Sequence, residues 1–317
     1  MIQVAIMGYG TIGSGVAEVL EQNREKIAEA VGEEVALKYV LDLRDFPDSP
    51  VADKIIHDFK VIEEDPEVSI VVETMGGLNP SYPFVKACLL AGKNVTTSNK
   101  ALVAAYGTEL LEIAREKSVN FMFEASVGGG IPIIRPLYRC LNGEKIEEIT
   151  GILNGTTNYI LSRMAREGAA YADVLADAQK LGLAEPDPTA DVEGYDAAYK
   201  LSILSTLAFH RHVPVEKVYR EGITAITPLD VQCGREFGLT LKLLAVAKEE
   251  NGRIQARVHP TFVPDTHPLA SVNDAFNAVF VKGHACGDMM FYGRGAGDMP
   301  TASALVSDLI QAAETKR

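Results

Sequence analysis

Short apolar runs alternate with helically spaced stretches over the first third of the chain. Residues 4–7, 36–41, 69–72, 94–97 and 120–123 each read as a brief strand rich in apolar or β-branched residues. Between them Val16, Val19, Leu20, Ile27 and Val31 recur at helical spacing, as do Leu110, Leu111 and Ala114. Strands that alternate with helices build βαβ units, so an α/β fold with a doubly wound, mainly parallel sheet is predicted. After Phe123 the run Val127-Gly128-Gly129-Gly130-Ile131-Pro132 breaks the alternation with residues suited to unusual backbone angles, and a domain boundary falls at about residue 130. Beyond it the pattern predicts a strand over 145–153, helices over 159–167 and 172–181, a long helix over 192–209, strands over 254–263 and 277–282, and a closing helix initiated by Pro300. These elements form a second, α+β domain.

Composition narrows the class. The 317 residues suffice for two domains, and 47% apolar with 23% charged residues exclude disordered, collagen-like and coiled-coil chains. No stretch reaches the ~18 uncharged apolar residues of a membrane span. The apolar start of the chain carries no basic leader and no small-residue cleavage site, which makes it a buried strand and points to the cytoplasm. With 30 Lys and Arg against 43 Asp and Glu, the net charge of -13 argues against nucleic acid or an anionic membrane as partner. Cys88, Cys140, Cys233 and Cys286 form no CxxC pair and have no histidine at metal-ligand spacing, so they read as reduced thiols.

Candidate chemistry begins at Gly8-Tyr9-Gly10-Thr11-Ile12-Gly13, directly after the first strand and before a helical pattern. Gly8 allows a tight turn, Gly10 lets a pyrophosphate approach the backbone, and Gly13 lets helix and strand pack closely, with the anion at the helix N-terminus. At the end of the second strand a carboxylate suits the ribose of NAD and a cation suits the 2′-phosphate of NADP. The chain offers both, Asp42 and Arg44, with a lean to NADP. Lys100 follows a predicted parallel strand at the edge that faces the ligand crevice; the alternative is an ordinary exposed lysine at a helix start. Asp196 and Lys200 are an i,i+4 pair if their helix begins near Asp191. They are either a surface ion pair or, with the neighbouring carboxylates, a site for a substrate ammonium and for proton transfer.

Together these segments resemble homoserine dehydrogenase over nearly the whole chain. The resemblance is carried by Gly8 to Gly13, Val72 to Gly77, Thr96 to Ala101, Glu124 to Pro132, Gly151 to Ile160, Ala184 to Lys200 and Gly295-Ala296-Gly297. It implies NAD(P)H-dependent reduction of L-aspartate 4-semialdehyde to L-homoserine, on the way to threonine and methionine. It also implies a dinucleotide-binding domain over 1–130, a dimerisation and substrate domain over 131–297, and a C-terminal helix over about 298–317 that returns to the first. By this resemblance Glu185 and Asp191 bind the substrate's amino acid end, Gly155 and Thr156 line its pocket, and Asp196 and Lys200 serve proton transfer. Lys100 faces nicotinamide and substrate, and Thr74 and Gly297 touch the coenzyme. The resemblance further implies a homodimer and a monovalent cation, commonly sodium, held by Glu124 and the carbonyls of Val127, Gly129 and Ile131; the alternative for that turn is a hinge. Since the chain stops soon after the closing helix, it resembles the short form, without an ACT domain or an aspartate kinase fusion, and feedback inhibition through an ACT domain is not expected.

Two other readings compete. A phosphorylating semialdehyde dehydrogenase has a similar plan but needs a nucleophilic cysteine, and none of the four lies in such a context. A non-catalytic redox sensor would keep the glycines and have no use for residues 185–200. For the dimer, the apolar run Asn277-Ala278-Val279-Phe280-Val281, with no covering helix evident, is the expected interface strand; the alternative is an internal strand of the sheet.

Overall fold

The runs of the first third become strands because they are buried on both faces; Val4, Ile6, Ile70 and Val72, for example, expose nothing. In the computed structural model, which describes residues 1–315, the elements β1 (Ile2–Met7), α1 (Thr11–Gln22), α2 (Arg24–Val31), β2 (Val35–Leu41), β3 (Ile55–Ile56), α3 (Lys60–Glu64), β4 (Val68–Glu73), α4 (Ser81–Leu90), β5 (Asn94–Thr97), α5 (Lys100–Lys117) and β6 (Phe121–Met122) follow one another. The strands lie in the order β3-β2-β1-β4-β5-β6, all parallel. The direction of winding reverses between β1 and β4, so a crevice opens at their carboxyl ends, where doubly wound sheets bind ligands.

The chain divides into Met1–Gly130, which takes in the segment from Gly297 onward, and Ile131–Ala296. The second unit holds β7 (Ile146–Ile152), α6 (Gly155–Glu167), α7 (Tyr171–Lys180), α8 (Thr189–Val192), α9 (Tyr195–Ala208), β8 (Tyr219–Arg220), α10 (Pro228–Glu236), β9 (Leu239–Glu250), β10 (Arg253–Pro264), β11 (Phe276–Gly283) and β12 (Gly287–Arg294). Its mixed sheet runs β12-β11-β7-β9-β10-β8, antiparallel except where β8 joins β10. The final helix, α11 (Asp298–Glu314), belongs to the first unit, where Ala302, Leu305 and Leu309 share a core with Val16, Leu20 and Ile27. Residues 316 and 317 of the expected helix lie outside the described residues. Among those described, no helix is long and apolar enough to cross a membrane.

Several expectations need correction. The long helix expected over 192–209 starts three residues later, at Tyr195, because Gly194 takes a left-handed φ of 76° and separates α9 from the short α8. The closing helix starts two residues before Pro300, which sits in its first turn, where a missing N–H costs nothing. The strand expected at the dimer interface is interior: β11 is paired on both sides, and the sheet's edges are β12 and β8. Helix α6 begins at Gly155, four residues earlier than expected, because the Asn154 side chain accepts from Thr157 N and caps it.

Candidate active site

In the first unit the glycine turn has the shape its sequence predicts. Gly8 has a φ of 94°, and a Cβ on Gly13 would lie 2.0 Å from the Gly8 carbonyl oxygen and 2.9 Å from Thr74 Oγ1. Only glycine therefore lets α1 approach β1 this closely. A Cβ on Gly10 would meet nothing within 4 Å, so the backbone there is open to an approaching group. Ser14 N donates to the Gly10 carbonyl at 2.9 Å, and Thr11, Ile12 and Gly13 precede it in the first helical turn, where free N–H groups suit an anion. Thr74, at the end of β4, donates its hydroxyl to the Gly8 carbonyl at 2.8 Å and ties the two loops together. These features fit a dinucleotide.

The crevice continues into a cleft of about 500 Å³ lined by Gly10, Asp42, Arg44, His57, Thr74 and Phe84, among others. Asp42 accepts from Tyr9 N at 2.8 Å and from Arg44 Nε at 3.0 Å. The Arg44 guanidinium holds its carboxyl down at about 2. The two groups that the sequence offers for coenzyme choice are thus paired with each other, Asp42 nearly buried and Arg44 facing solvent. His57 places one ring nitrogen 2.7 Å from the Asp42 carbonyl oxygen, and this contact raises its pKa above the ordinary value. It was not among the residues singled out from sequence.

Lys100 is the first residue of α5, whose N-cap is Asn99. Asn99 accepts from Leu102 N at 3.1 Å and donates to the Gly77 carbonyl at 2.6 Å. Its own N–H donates to Thr97 Oγ1, and Thr97 in turn donates to the fully buried Glu73. Glu73 also accepts from Met75 N and Gly76 N, and burial pushes its carboxyl above the ordinary range. One hydrogen-bonded chain thereby fixes the loops after β4 and β5 and the start of the helix that carries Lys100. The glutamate ends an apolar strand, a position where a carboxylate is expensive to bury without donors.

In the second unit the surface-pair reading of Asp196 and Lys200 fails on burial. Lys200 Nζ lies 2.7 Å from Asp196 Oδ2, with side-chain exposures of 11% and 7%. Lys200 also donates to the Leu153 carbonyl at 2.8 Å, which ties α9 to the end of β7. The next residue, Asn154, donates to Asp191 Oδ1 at 2.7 Å and to Asp196 Oδ2 at 2.9 Å. Gly155 has room for nothing larger, since a Cβ would stand 2.9 Å from the Ala275 carbonyl oxygen. The Thr156 hydroxyl donates to the Leu183 carbonyl at 2.8 Å. Five of the sequence-derived residues, 155, 156, 191, 196 and 200, thus sit around the β7–α6 turn, whereas Glu185 lies in an exposed loop and its carboxylate makes no hydrogen bond among the described residues. Asn154 was not selected from sequence; its signal is a capping residue directly before a helix.

The glycine-rich turn has left-handed φ values at Gly128 and Gly129, and Glu124 is buried, its N–H donating to Asp308. Among the described residues, no group of three or more His, Cys, Asp or Glu is placed to hold a metal. The cysteines give no activated nucleophile: burial pushes the Cys88 thiol up to about 12, and the Glu144 carboxylate raises that of Cys286. Cys140 and Cys233 are exposed and make no hydrogen bond among the described residues.

A Rossmann-type sheet with an open glycine turn, followed in the chain by a buried lysine–aspartate pair, defines a dinucleotide-dependent oxidoreductase. Residues 8–124 match the family model "Homoserine dehydrogenase, NAD binding domain", and residues 132–310 match "Homoserine dehydrogenase". A homoserine dehydrogenase of Corynebacterium glutamicum is 46% identical over 324 residues, covering 99% of this chain and 72% of that protein. The crystal structure of a homoserine dehydrogenase from Thiobacillus denitrificans is similar with a TM-score of 0.93 and 43% identity, over 99% of this chain and 74% of the other. A hyperthermophilic archaeal homoserine dehydrogenase mutant in complex with NADPH is 28% identical with a TM-score of 0.83, over 98% and 97%. The chain belongs to the homoserine dehydrogenase family, and its activity is an NAD(P)-dependent oxidation or reduction at a CH–OH group. Neither the phosphorylating dehydrogenase nor the non-catalytic sensor finds support.

Proposed function

We propose that the chain interconverts L-aspartate 4-semialdehyde and L-homoserine, with Lys200 as the proton donor to the carbonyl oxygen. The observation that carries this reading is the buried contact of Lys200 Nζ with Asp196 and the Leu153 carbonyl, in a cluster that also holds Asp191. When bound, the reduced nicotinamide supplies hydride to the aldehyde carbon. As negative charge grows on the aldehyde oxygen, the Lys200 ammonium stabilises it and delivers the proton, with Asp196 holding the amine in place. In the oxidative direction the same amine receives the proton. Asp191 and Glu185 hold the substrate ammonium, and Gly155 and Thr156 line the pocket. Lys100, fixed at the head of α5, is the second candidate for the proton and faces nicotinamide and substrate.

Gly8, Gly10, Thr11, Ile12, Gly13, Thr74 and Gly297 hold the dinucleotide in this reading, and Arg44 meets the 2′-phosphate of NADP. Both coenzymes are used, with NADP preferred; the coexistence of Asp42 and Arg44 and the archaeal relative's NADPH complex support this. Glu124 and the carbonyls of Val127, Gly129 and Ile131 take a sodium ion. The active assembly is a homodimer, for which the open edge of β12, with Met290 40% and Tyr292 52% exposed, is the contact surface. The test is homoserine-dependent reduction of NADP and of NAD by the purified chain. Turnover with both is expected; no homoserine-dependent reduction of either would contradict the proposal.

A further inference from the structure

The geometry points to Asn154 as a positioning residue for this reaction: its carboxamide holds Asp191 and Asp196 on one donor group and so fixes the partner of Lys200. The inference rests on the roles proposed above for Asp191, Asp196 and Lys200. Asn154 is 5% exposed, and every hydrogen-bonding position of its amide is used. Oδ1 accepts from Thr157 N at 2.9 Å and from Thr157 Oγ1 at 3.0 Å. Nδ2 donates to Asp191 Oδ1 at 2.7 Å and to Asp196 Oδ2 at 2.9 Å. The orientation is forced, because a flipped amide would set NH2 against a backbone N–H and its oxygen against two carboxylates.

Two like charges on adjacent elements, α8 and α9, are thereby brought to one amide instead of repelling each other apart. The same Asp196 oxygen that takes the amide also takes Lys200 Nζ, and Lys200 is anchored a second time on Leu153, the residue before Asn154. The dipeptide Leu153-Asn154 thus sets both ends of the Asp196–Lys200 contact. A cap alone does not require asparagine, since serine and aspartate cap helices comparably. Only a carboxamide both accepts from the helix N-terminus and donates to two carboxylates.

That difference supplies the test. Asn154→Ser keeps a capping oxygen and removes the bridge; Asn154→Asp keeps the size and the cap but puts a third carboxylate against the first two. For each, kcat and KM for homoserine are measured beside NADPH affinity and thermal unfolding, and Asn154→Ser is repeated in a Lys200→Ala background. We expect NADPH affinity to stay within about threefold and kcat/KM to fall ~10- to 100-fold, the size of one hydrogen bond to a charged group. The loss should divide between a higher KM, through Asp191, and a lower kcat, through Lys200. In the Lys200→Ala background the kcat part should vanish and the KM part remain. If both variants lose only thermal stability and keep wild-type kcat and KM while Lys200→Ala is impaired, the inference is wrong and the proton-transfer reading stands. If Lys200→Ala turns over at the wild-type rate, the proton-transfer reading itself fails. Should the serine variant not fold, the aspartate variant carries the same expected loss and the same refutation.

Discussion

Lys242 in β9 is 1% exposed and, among the described residues, has no carboxylate within hydrogen-bond distance. Its ammonium donates to the Val272 carbonyl, to Asn158 Oδ1 and to Asn273 Oδ1, and so holds the loop before β11 onto α6. Burial lowers its pKa to about 8, against 10.5 for the free side chain, while Asp274 acts weakly in the opposite sense. Below pH 8 both folded and unfolded chains carry the proton, and the native state bears the full cost of the buried charge. Between pH 8 and 10.5 the unfolded chain binds more protons than the folded one, so stability rises with pH through this window. From pH 7.5 to pH 10 this gain is about 2 kcal/mol. Lys242→Met removes the titration. Urea unfolding of both proteins at the two pH values isolates it, because other titrating groups cancel in the difference. The stability of the wild type relative to the variant should climb by about that amount. A difference that stays constant would mean that the three oxygen acceptors keep the lysine protonated to pH 10, and the reasoning from burial would be refuted.

Arg44→Ala should weaken NADPH binding ~10- to 100-fold and leave NADH within about threefold, because one charge-assisted contact goes while Asp42 keeps its bond from Tyr9. Fluorescence titration of each reduced coenzyme checks this, and equal weakening of both would count against the assignment. Gly13→Ala puts a Cβ 2.0 Å from the Gly8 carbonyl oxygen, so α1 must shift. Affinity for both coenzymes should drop at least ~10-fold and stability by about 1–3 kcal/mol, the usual cost of overpacking; unchanged binding in the same titration would contradict the cradle.

The parallel sheet was legible because its strands are short, apolar and separated by helical spacing, and β1, β2, β4 and β5 fall within two residues of the expected spans. β9 was missed for a physical reason: Leu239–Glu250 is buried almost continuously on both faces, so no alternation marks it as a strand. β12 was missed because its alternating exposure is spread over a glycine-containing run with little apolar contrast. In the site, spacing alone paired Asp196 with Lys200, but the burial that separates them from a surface pair appears only when the end of β7 supplies the Leu153 carbonyl. The capping position of Asn154 is legible in the chain, but its bridge to Asp196 and the Glu73–Thr97 contact are not, since those partners lie 42 and 24 residues away.

The assignment of Lys200 as proton donor is tested most directly by single-turnover hydride transfer in Lys200→Ala beside Lys100→Ala, with coenzyme affinity measured separately for each. Loss of a donor that also stabilises the developing alkoxide should slow transfer in Lys200→Ala ~10²- to 10⁴-fold, with coenzyme binding within about threefold of wild type, since Lys200 lies outside the dinucleotide-binding unit. Transfer at the wild-type rate in Lys200→Ala, with a large loss in Lys100→Ala, would contradict the account and pass the role to Lys100.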